Sequence, residues 1–292
     1  MTTRAVISCS EYRDYTFSLP LAALFWREVV GFEPLLMLTE SEAHWRAFSK
    51  RNEVTLTALK HFNFDFRYVG HMEGYETPRV GQNARHYASC YDLPEDDWLL
   101  VSDADLWPLN REFYYQRGGK ATCLYFNGDH FQGKADVLDK SSRGVRFQTI
   151  PTCHIIMRVK TWRELYNLKV GDSIPLAIKT SLDQWMAAQN QTDKGFAIWM
   201  VDQDLVTVKL CQAPWFPSEA MLVSREGHPP KTRLDRGNWS TDFTGMIDAH
   251  IFKEPDSLKH WGLLREVVKR YLPHHLDWAD NYQKEYRASY EG

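Results

Sequence analysis

The first hundred residues alternate between short apolar segments and longer stretches with helix signals. The apolar segments are Ala5–Cys9, Leu35–Leu38, Arg67–Val69 and Trp98–Val101. The stretches expected to be helical run from about Phe17 to Val30, from just after Thr39 to about Arg51 and from Pro78 to about Tyr91. Parallel strands need long crossover connections, which are usually helices. This order therefore predicts an α/β fold with a mostly parallel central sheet flanked by helices.

Local signals predict where these helices begin and end. Gly31 is expected to stop the first helix, because glycine is the usual residue just past a helix end. Thr39 and Glu42 have the spacing of a capping box, which predicts Thr39 as the N-cap of the second helix. Thr77 followed by Pro78 predicts an N-cap and a first helical residue.

An acidic motif stands just after the fourth apolar segment, at Asp103 and Asp105. Side chains two positions apart on an extended segment point to the same face. Open parallel sheets bind ligands outside the carboxyl ends of their strands. Because Mg²⁺ and Mn²⁺ prefer oxygen ligands completed by substrate phosphates, the motif predicts a divalent cation site. The alternative is a solvated acidic turn.

Several short segments, spread over residues 4 to 255, resemble GT-A fold glycosyltransferases. In chain order they are a helix with Arg79, Gln82 and Arg85, the Asp-x-Asp segment Trp98–Leu109, Thr152–Arg163, Asp202–Asp204, and Asp248–Pro255. Their order is that of the retaining family that includes glycogenin and the lipopolysaccharide galactosyltransferases. The resemblance implies a GT-A fold with a merged, loop-rich acceptor half and a C-terminal helix. It also implies transfer of a sugar from a nucleoside-diphosphate sugar, with a UDP-sugar favoured, and Mn²⁺ or Mg²⁺ as cofactor.

The resemblance extends the cation site beyond the acidic motif. It implies that His250 is a third metal ligand beside Asp103 and Asp105, and that Lys253 contacts the diphosphate. This chain lacks the glycine of the family's segment and has a shorter spacing to the lysine. A neutral imidazole is in any case a good third ligand for Mn²⁺, although a lone histidine is often structural.

Other residues are candidates for donor binding and catalysis. By the resemblance, Arg79 and Arg85 help to position the donor, and the nucleoside is expected near Ser8 at the end of the first strand. Asp202 and Asp204 either orient the donor sugar in a retaining enzyme or supply the base of an inverting one. A retaining mechanism is slightly favoured, because the Asp-Gln-Asp segment matches the family.

Three further features have a structural alternative. Asp183 is either a carboxylate that faces the acceptor or a residue at the start of a helix. Asp129 and His130 are candidates for the acceptor side. The chain has 11 Trp, and aromatic residues suit sugar faces as well as cores. The candidates for sugar stacking are Trp107, Trp215 and Trp239, for which core packing is the alternative.

Composition limits the remaining classes. A formal net charge of -3 without a basic stripe argues against a nucleic-acid partner. The most apolar window, Leu19 to Val30, contains Pro20, Arg27 and Glu28, so no membrane span is expected. The start of the chain lacks the pattern of a signal peptide. With five widely spaced cysteines and no CxxC pair, these features predict a cytoplasmic protein.

The expected organisation is a single GT-A domain over residues 1–292. Residues of about 1–107 form the nucleotide-sugar-binding half, residues of about 108–255 the acceptor half, and residues 256–292 a C-terminal helical tail. The acceptor is expected to be a glycan, a glycoconjugate or another hydroxyl compound. Two other classes stay open, namely a nucleotide-sugar phosphohydrolase built on the same carboxylates and a non-catalytic carbohydrate-binding protein.

Overall fold

The computed structural model describes residues 1–115, 121–126, 136–139, 145–148, 150–189, 201–223, 232–237 and 239–290. The strands in these ranges are β1 (Thr3–Cys9), β2 (Glu33–Thr39), β3 (Asp65–Gly70), β4 (Trp98–Ser102), β5 (Leu106–Pro108), β6 (Cys123–Phe126), β7 (Asp136–Asp139), β8 (Val145–Gln148), β9 (Ile155–Arg158), β10 (Ala220–Val223), β11 (Arg233–Asp235) and β12 (Asp248–His250). The helices are α1 (Arg13–Leu24), α2 (Glu42–Phe48), α3 (Lys50–His61), α4 (Thr77–Ala84), α5 (Arg111–Tyr114), α6 (Val159–Tyr166), α7 (Ile174–Gln189), α8 (Val201–Gln212), α9 (Leu258–Tyr271) and α10 (Leu276–Ala288).

Seven of these strands form a central sheet in the order β10-β6-β9-β4-β1-β2-β3. Strands β4, β1, β2 and β3 are parallel, and β9 runs antiparallel between β4 and β6. The predicted α/β fold with a mostly parallel sheet is therefore confirmed. The chain moves outward from β1 to β3 and then crosses back to β4 on the other side of β1. Such a reversal of strand order creates a crevice at the carboxyl ends of the two strands, where ligands bind.

The inner strands are buried on both faces of the sheet. Ile7 of β1 and Leu100 of β4 belong to the hydrophobic cluster on one face, whereas Val6 and Leu99 belong to the cluster on the other. Strands covered by helices on both sides need continuous apolar runs rather than alternation. This is why the sequence showed β1, β2 and β4 as short apolar segments.

The first helix accommodates a proline in its interior. Helix α1 contains Pro20, which has no N–H to donate to the carbonyl oxygen of Thr16 one turn earlier. The hydroxyls of Thr55 and Tyr282 donate to that oxygen at 3.1 and 3.3 Å. The helix continues as a π-helical turn that ends at Gly31, whose φ is 86°. The prediction that Gly31 stops this helix is therefore confirmed.

The predicted capping box is wrong, because Thr39 is the last residue of β2. The N-cap of α2 is Ser41, whose hydroxyl accepts the N–H of His44 at 3.2 Å. The helix expected to continue to about residue 51 is interrupted at Ser49. The hydroxyl of Ser49 accepts the N–H of Asn52 at 3.4 Å and begins α3. A serine thus starts each helix because its side chain replaces a missing backbone acceptor.

The start of α4 also differs by one residue from the prediction. Glu76 is its N-cap, and Thr77 is already helical. The hydroxyl of Thr77 instead donates to the buried carboxylate of Glu11 at 2.6 Å. After Ala84 the helix tightens into a 3₁₀ segment over Arg85–Cys90. Nη1 of Arg85, its first residue, donates to the carbonyl oxygen of Ser102 at the end of β4 at 3.2 Å.

The C-terminal helices pack against α1 on one face of the sheet. The ring of Phe17 lies 5.8 Å from that of Trp261 in α9, and 5.3 and 5.1 Å from the rings of Tyr282 and Tyr286 in α10. None of the described helices is long and apolar enough to span a bilayer. All five cysteines are unpaired.

A small second sheet has the strand order β11-β12-β5. Strand β12 is parallel to β11 and antiparallel to β5. Because β5 begins at Leu106, directly after the acidic motif, the motif connects the end of the central sheet to the small sheet. The two sheets thereby meet at the carboxyl end of β4.

Candidate active site

A cavity of about 660 Å³ opens at the carboxyl ends of β1 and β4. Its walls come from the ends of both sheets, from α4 and α8, and from the segment before β9. The polar residues that line it are Ser8, Ser10, Gln82, Arg85, Asp103, Asp105, Thr152, Asp202, Gln203, Arg233, Asp235, Arg236, His250 and Lys253. The central sheet and the small sheet thus bring acidic and basic side chains from distant parts of the chain into one crevice.

Strand pairing in the small sheet brings Asp105 and His250 together. His250 pairs with Leu106 across the β12–β5 ladder, and the N–H of Ile251 donates to the carbonyl oxygen of Asp105 at 2.9 Å. Oδ2 of Asp105 lies 3.4 Å from Nε2 of His250. The register therefore places a carboxylate oxygen and an imidazole nitrogen side by side at the cavity wall.

The β11–β12 pair presents a polar face to the cavity and an apolar face to the core. Leu234 and Ala249 are fully buried on the apolar face. On the polar face Arg233 pairs with Asp248, and Asp235 lies opposite His250. The face follows from the alternation of polar and apolar residues in both segments, since successive strand residues point to opposite sides.

His250 belongs to a group of four charged or titratable side chains that we call the His250 cluster, formed by Asp105, Asp235, Arg236 and His250. Nδ1 of His250 lies 3.1 Å from Oδ2 of Asp235, and Nη2 of Arg236 lies 3.5 Å from Oδ2 of Asp105. Arg236 also contacts Nε2 of His250. All four side chains are partly exposed, with 18 to 36% of their surface accessible.

The pKa values of the cluster follow from these contacts. Burial lowers the pKa of His250, but its hydrogen bond and charge interaction with Asp105 outweigh burial and raise it overall. Burial acts in the opposite direction on Asp105, and His250 then lowers the pKa of that carboxyl overall. The cluster therefore favours an ionised Asp105 at neutral pH.

Arg85 is the centre of a second group, the Arg85 cluster, formed by Arg85, Asp103, Thr152 and Asp202. Nη2 of Arg85 donates to Oδ2 of Asp202 at 2.9 Å and to Oγ1 of Thr152 at 3.1 Å, and Nη1 donates to Asp103. Only 4% of the Arg85 side chain is exposed. Burial lowers the pKa of Arg85, but the charges of Asp103 and Asp202 raise it overall, so the guanidinium stays charged.

Thr152 reaches this cluster because β9 runs antiparallel to β4. The first residue of β9, Ile155, pairs with Val101 near the end of β4. The residues just before β9 therefore lie at the edge of the sheet that forms the cavity. Thr152 and Cys153 line it, and His154 is fully buried below.

His154 lies in a buried network between the two sheets. Its Nδ1 is 3.3 Å from the hydroxyl of Tyr114, which donates to Oδ2 of Asp248 at 3.3 Å. Arg233 donates to both oxygens of Asp248, at 2.6 and 2.8 Å. Burial lowers the pKa of His154 to about 4, although the nearby Asp248 opposes this. His154 is therefore neutral at pH 7, and the cation that pairs with Asp248 is Arg233.

Most of the residues predicted for the site line this cavity. They are Ser8, Arg85, Asp103, Asp105, Asp202, His250 and Lys253. Three predicted residues lie elsewhere. Arg79 is buried in α4, where Nη1 donates to Gln82 at 2.9 Å. Asp183 on α7 accepts a hydrogen bond from Tyr75 at 2.6 Å. Asp204 is next to the cavity wall on α8, and burial raises its pKa to about 6.

The sequence interpretation missed three cavity residues on β11 and just after it. These are Arg233, Asp235 and Arg236. The alternation Arg233-Leu234-Asp235 was a readable strand signal, but it lies in a stretch rich in turn residues. Their proximity to His250 depends on pairing between residues about fifteen positions apart, which the sequence alone does not reveal.

The donor set fits a divalent cation only in part. Asp105 and His250 offer an oxygen and a nitrogen 3.4 Å apart, which suits two ligands of one ion. Asp103 faces Arg85 instead. Within the described ranges, no three His, Cys, Asp or Glu side chains gather closely enough to hold a metal by themselves. The three-residue ligand set therefore stays a prediction.

The tryptophans proposed for sugar stacking do not line the cavity. Trp107 is fully buried and stacks on Phe25 with ring centroids 4.9 Å apart. Trp239 lies 4.6 Å from the ring of Phe252, and Trp215 packs against the core. The packing alternative therefore holds for all three. Asp129 and His130 lie outside the described residues.

The fold is similar to that of the galactosyltransferase LgtC, solved in complex with donor and acceptor sugar analogues. The match has 13% identity, covers 90% of this chain and 94% of LgtC, and has a TM-score of 0.50. An active-site mutant of LgtC matches over the same shares with a TM-score of 0.51. The bifunctional glycosyltransferase WbbM matches at 12% identity over 97% of this chain and 51% of WbbM, with a TM-score of 0.49.

The likeness to LgtC bears on the fold. At this identity it establishes that the chain has the α/β fold of GT-A glycosyltransferases, as the sequence predicted. No protein-family model matches the chain, and no curated protein matches it by sequence.

Proposed function

We propose that the protein is a glycosyltransferase that transfers a sugar from a nucleoside-diphosphate sugar to a hydroxyl group of a glycan or glycoconjugate. The observation that carries this proposal is the cavity at the β1–β4 switch point. Its volume of about 660 Å³ lies within the range typical of small-molecule sites. The fold shared with LgtC, a galactosyltransferase, supports the same activity and a hexose as the sugar.

Four cationic side chains can bind the donor's diphosphate. Arg85, Arg233, Arg236 and Lys253 all line the cavity. Negative charge grows on the diphosphate as it leaves the sugar, so fixed cations at this position favour the transition state over the ground state. Arg85 and Arg233 are the most firmly held of them, because hydrogen bonds to Asp202 and Asp248 fix their guanidinium groups.

The nucleoside is proposed to bind beside the end of β1. Ser8 is held by a hydrogen bond to the carbonyl oxygen of Gly81. The hydroxyl of Ser10 is buried and has no hydrogen-bond partner among the described residues. A buried hydroxyl without a partner is costly, and a base or ribose in the cavity would satisfy it. The resemblance to the glycogenin family favours uracil as the base.

A divalent cation, Mn²⁺ or Mg²⁺, is proposed to be held by Asp105 and His250 together with phosphate oxygens and water. It would supply positive charge that offsets the charge on the leaving diphosphate. Asp103 completes this set if its carboxylate turns away from Arg85. The contact between Asp105 and His250 supports the proposal, since it already joins a hard oxygen ligand and an imidazole.

A retaining mechanism is proposed over an inverting one. An inverting enzyme needs a carboxylate that is free to take the proton of the acceptor hydroxyl. In the described part of the cavity, Asp103 and Asp202 contact Arg85, while Asp105 and Asp235 contact His250. Each of these carboxylates is already engaged by a basic side chain. Asp202 would then orient the donor sugar beside Arg85, and the leaving diphosphate would receive the proton.

The remaining sequence predictions belong to this proposal. The division into a nucleotide-sugar half, an acceptor half and a C-terminal tail is retained as a working description of how donor and acceptor meet. A cytoplasmic location is likewise proposed from the sequence. Asp183 and Asp204 are not assigned to catalysis, because neither lines the cavity.

The first test is a thermal-shift screen of UDP-, GDP-, ADP-, dTDP- and CMP-linked sugars with and without Mn²⁺. A ligand that binds the folded state raises the melting temperature by mass action. We expect a metal-dependent shift with UDP-sugars. Lys253→Ala should weaken this shift, whereas Lys259→Ala, on the exposed face of α9, should leave it unchanged.

Product analysis then separates the enzyme classes. We expect transfer of the sugar to an added glycan acceptor with retention of configuration at the anomeric carbon, as measured by NMR. Release of sugar 1-phosphate and nucleoside monophosphate that no acceptor accelerates would indicate a phosphohydrolase. Binding of glycans without any response to nucleotides or Mn²⁺, by folded protein, would indicate a carbohydrate-binding protein and would overturn the proposal.

A further inference from the structure

The side chain of Asp235 faces the nitrogen of His250 that does not point toward Asp105. Oδ2 of Asp235 lies 3.1 Å from Nδ1 of His250, while Nε2 of His250 lies 3.4 Å from Oδ2 of Asp105. The two carboxylates therefore contact opposite nitrogens of one imidazole ring. Asp235 is the last residue of β11, and the ladder pairs it directly with His250 in β12.

A carboxylate accepts hydrogen bonds and has none to donate, so it selects the imidazole form with a proton on the nitrogen it faces. Both carboxylates could accept from His250, but Oδ2 of Asp235 is nearer to the ring than Oδ2 of Asp105, and Arg236, which can only donate, contacts Nε2. The neutral form of His250 is therefore expected to carry its hydrogen on Nδ1. In the neutral ring, the lone pair then lies on Nε2, which is the nitrogen next to Asp105. Histidines that bind metals usually donate their other N–H to such a carboxylate, which fixes the ring and raises its basicity.

We propose that Asp235 is a positioning residue that holds His250 with Nε2 directed at the cation site beside Asp105. This inference rests on the proposed function, because it assumes that a divalent cation binds at Asp105 and His250. Asp235 itself does not bind the cation. It acts through the orientation and the tautomer of the imidazole.

The strand geometry makes this role specific to Asp235. Leu234 points into the core on the other face, and Arg233 is held by Asp248. Arg236, the next residue, contacts Nε2 of His250, on the side where the cation is proposed to bind. Asp235 is therefore the carboxylate of β11 that can orient the ring through Nδ1, the nitrogen on the side away from Asp105.

The test measures Mn²⁺ binding directly, from the loss of the free Mn²⁺ signal in electron paramagnetic resonance, without donor and with UDP. The variants are Asp235→Ala, Asp235→Asn, His250→Ala and the double variant Asp235→Ala/His250→Ala. Asp242→Ala is the matched control, because it removes an exposed aspartate from the loop between β11 and β12. Circular dichroism melting shows that each variant is folded.

We expect Asp235→Ala to weaken Mn²⁺ binding by about 10- to 100-fold, the usual effect of losing such a partner. Asp235→Asn should retain more affinity, because the amide oxygen can still accept the Nδ1 hydrogen. In the His250→Ala background, Asp235→Ala should have no further effect, since it acts through the ring. An equal loss in both backgrounds would mean that Asp235 acts by bulk charge, which overturns the proposal.

A second measurement needs no metal. Nitrogen-15 NMR of histidine-labelled protein reports which ring nitrogen carries the hydrogen, and His250→Ala assigns the signal. In neutral His250 we expect hydrogen on Nδ1 in the wild type and a mixture of both forms in Asp235→Ala. Hydrogen on Nε2 in the wild type would overturn the proposal even if Mn²⁺ binds.

The outcomes also separate this proposal from the proposed function. A wild-type protein that transfers sugar with Mn²⁺, but whose Mn²⁺ affinity is unchanged in Asp235→Ala, removes the role of Asp235 alone. A wild-type protein that binds no Mn²⁺, with or without UDP, overturns both the cation site and the role of Asp235.

Discussion

The Arg85 cluster and the His250 cluster each combine one arginine with two aspartates, but in different surroundings. In the Arg85 cluster, the side chains of Arg85 and Asp202 are only 4 and 5% exposed, and Thr152 bonds to both. In the His250 cluster, His250 and Asp235 are 26 and 36% exposed. The first cluster joins two helical segments to residues next to β4 and β9 of the central sheet, whereas the second depends on the short strands of the small sheet.

This difference in burial predicts a division of roles. A buried charge without its partner keeps its full desolvation cost, so a buried ion pair strongly affects the free energy of unfolding when one partner is removed. Partly exposed charges are solvated and contribute little to folding. They are, however, accessible to a ligand. The Arg85 cluster is therefore expected to contribute more to folding than the His250 cluster, and the His250 cluster to act mainly in ligand binding.

The largest effect on stability is expected from Arg85→Met. This variant leaves the carboxylate of Asp202 buried without its cation, and we expect the free energy of unfolding to fall by about 3–5 kcal/mol. Urea unfolding monitored by tryptophan fluorescence measures it. Arg67→Met is the control, because Arg67 and its partner Asp65 are 34 and 40% exposed and should contribute less than about 1 kcal/mol. Equal losses for the two variants would contradict the distinction.

The opposite pattern is expected for Asp105→Asn. Removing this charge should lower sugar transfer by about 10²–10³-fold, the size typical of losing one electrostatic contact to a developing charge. The free energy of unfolding should change little, because the amide keeps the shape of the carboxylate. Asp280→Asn, which alters a carboxylate of similar exposure on α10, controls for a change in charge alone. A variant with full activity would refute the role of the acidic motif.

The two clusters also differ in how much of them the sequence revealed. The strand that leads to Asp103 and Asp105 is a continuous apolar run within one segment, so its end could be located. His250 was found only through the family resemblance. Asp235 and Arg236 were missed, because their position depends on pairing between β11 and β12 rather than on any local pattern.

Helix starts show the same limit at a smaller scale. Thr39 and Glu42 have the spacing of a capping box, but Thr39 does not cap a helix, because β2 extends through Thr39 to pair with β3. Ser41 then provides the cap. Tertiary pairing thus decided between two adjacent polar residues that both suit an N-cap. Similarly, Arg79 and Arg85 lie on one continuous helical stretch, but their spacing of six residues places them on different sides of a helix with about 3.6 residues per turn, and only Arg85 lines the cavity.

His154 connects the two regions and allows a pH test of their junction. Its pKa is lowered from 6.5 to about 4 by burial, so the unfolded chain binds more protons than the folded one between these pH values. The free energy of unfolding therefore falls as the pH drops from 6.5 toward 4, by up to about 3 kcal/mol from this residue. Asp204 opposes this trend, since burial raises its pKa to about 6.

The contribution of His154 is isolated by comparison with His154→Gln. Urea unfolding at a series of pH values between 7 and 4 should show a smaller loss for this variant, because glutamine does not titrate and Asp204 is unchanged. The difference between the two curves should grow steadily below about pH 6.5. Parallel curves would indicate that His154 is protonated in the folded protein over the same pH range as in the unfolded chain, and that water reaches the junction between the two sheets.

The smallest expected effect comes from Arg236, and its direction is opposite to that of the other site variants. Nη2 of Arg236 lies 3.5 Å from Asp105 and contacts His250, where its charge competes with a divalent cation. Because the pair is 34 and 18% exposed, it is worth at most about 1 kcal/mol, so Arg236→Gln should tighten Mn²⁺ binding by about 2- to 5-fold in calorimetry. Arg265→Gln, whose pair with Asp280 is 38 and 22% exposed on the C-terminal helices, should leave Mn²⁺ affinity unchanged. Weaker binding in Arg236→Gln would mean that Arg236 supports the cation site through His250 rather than competing for it, and that the His250 cluster, like the Arg85 cluster, is held together by its arginine.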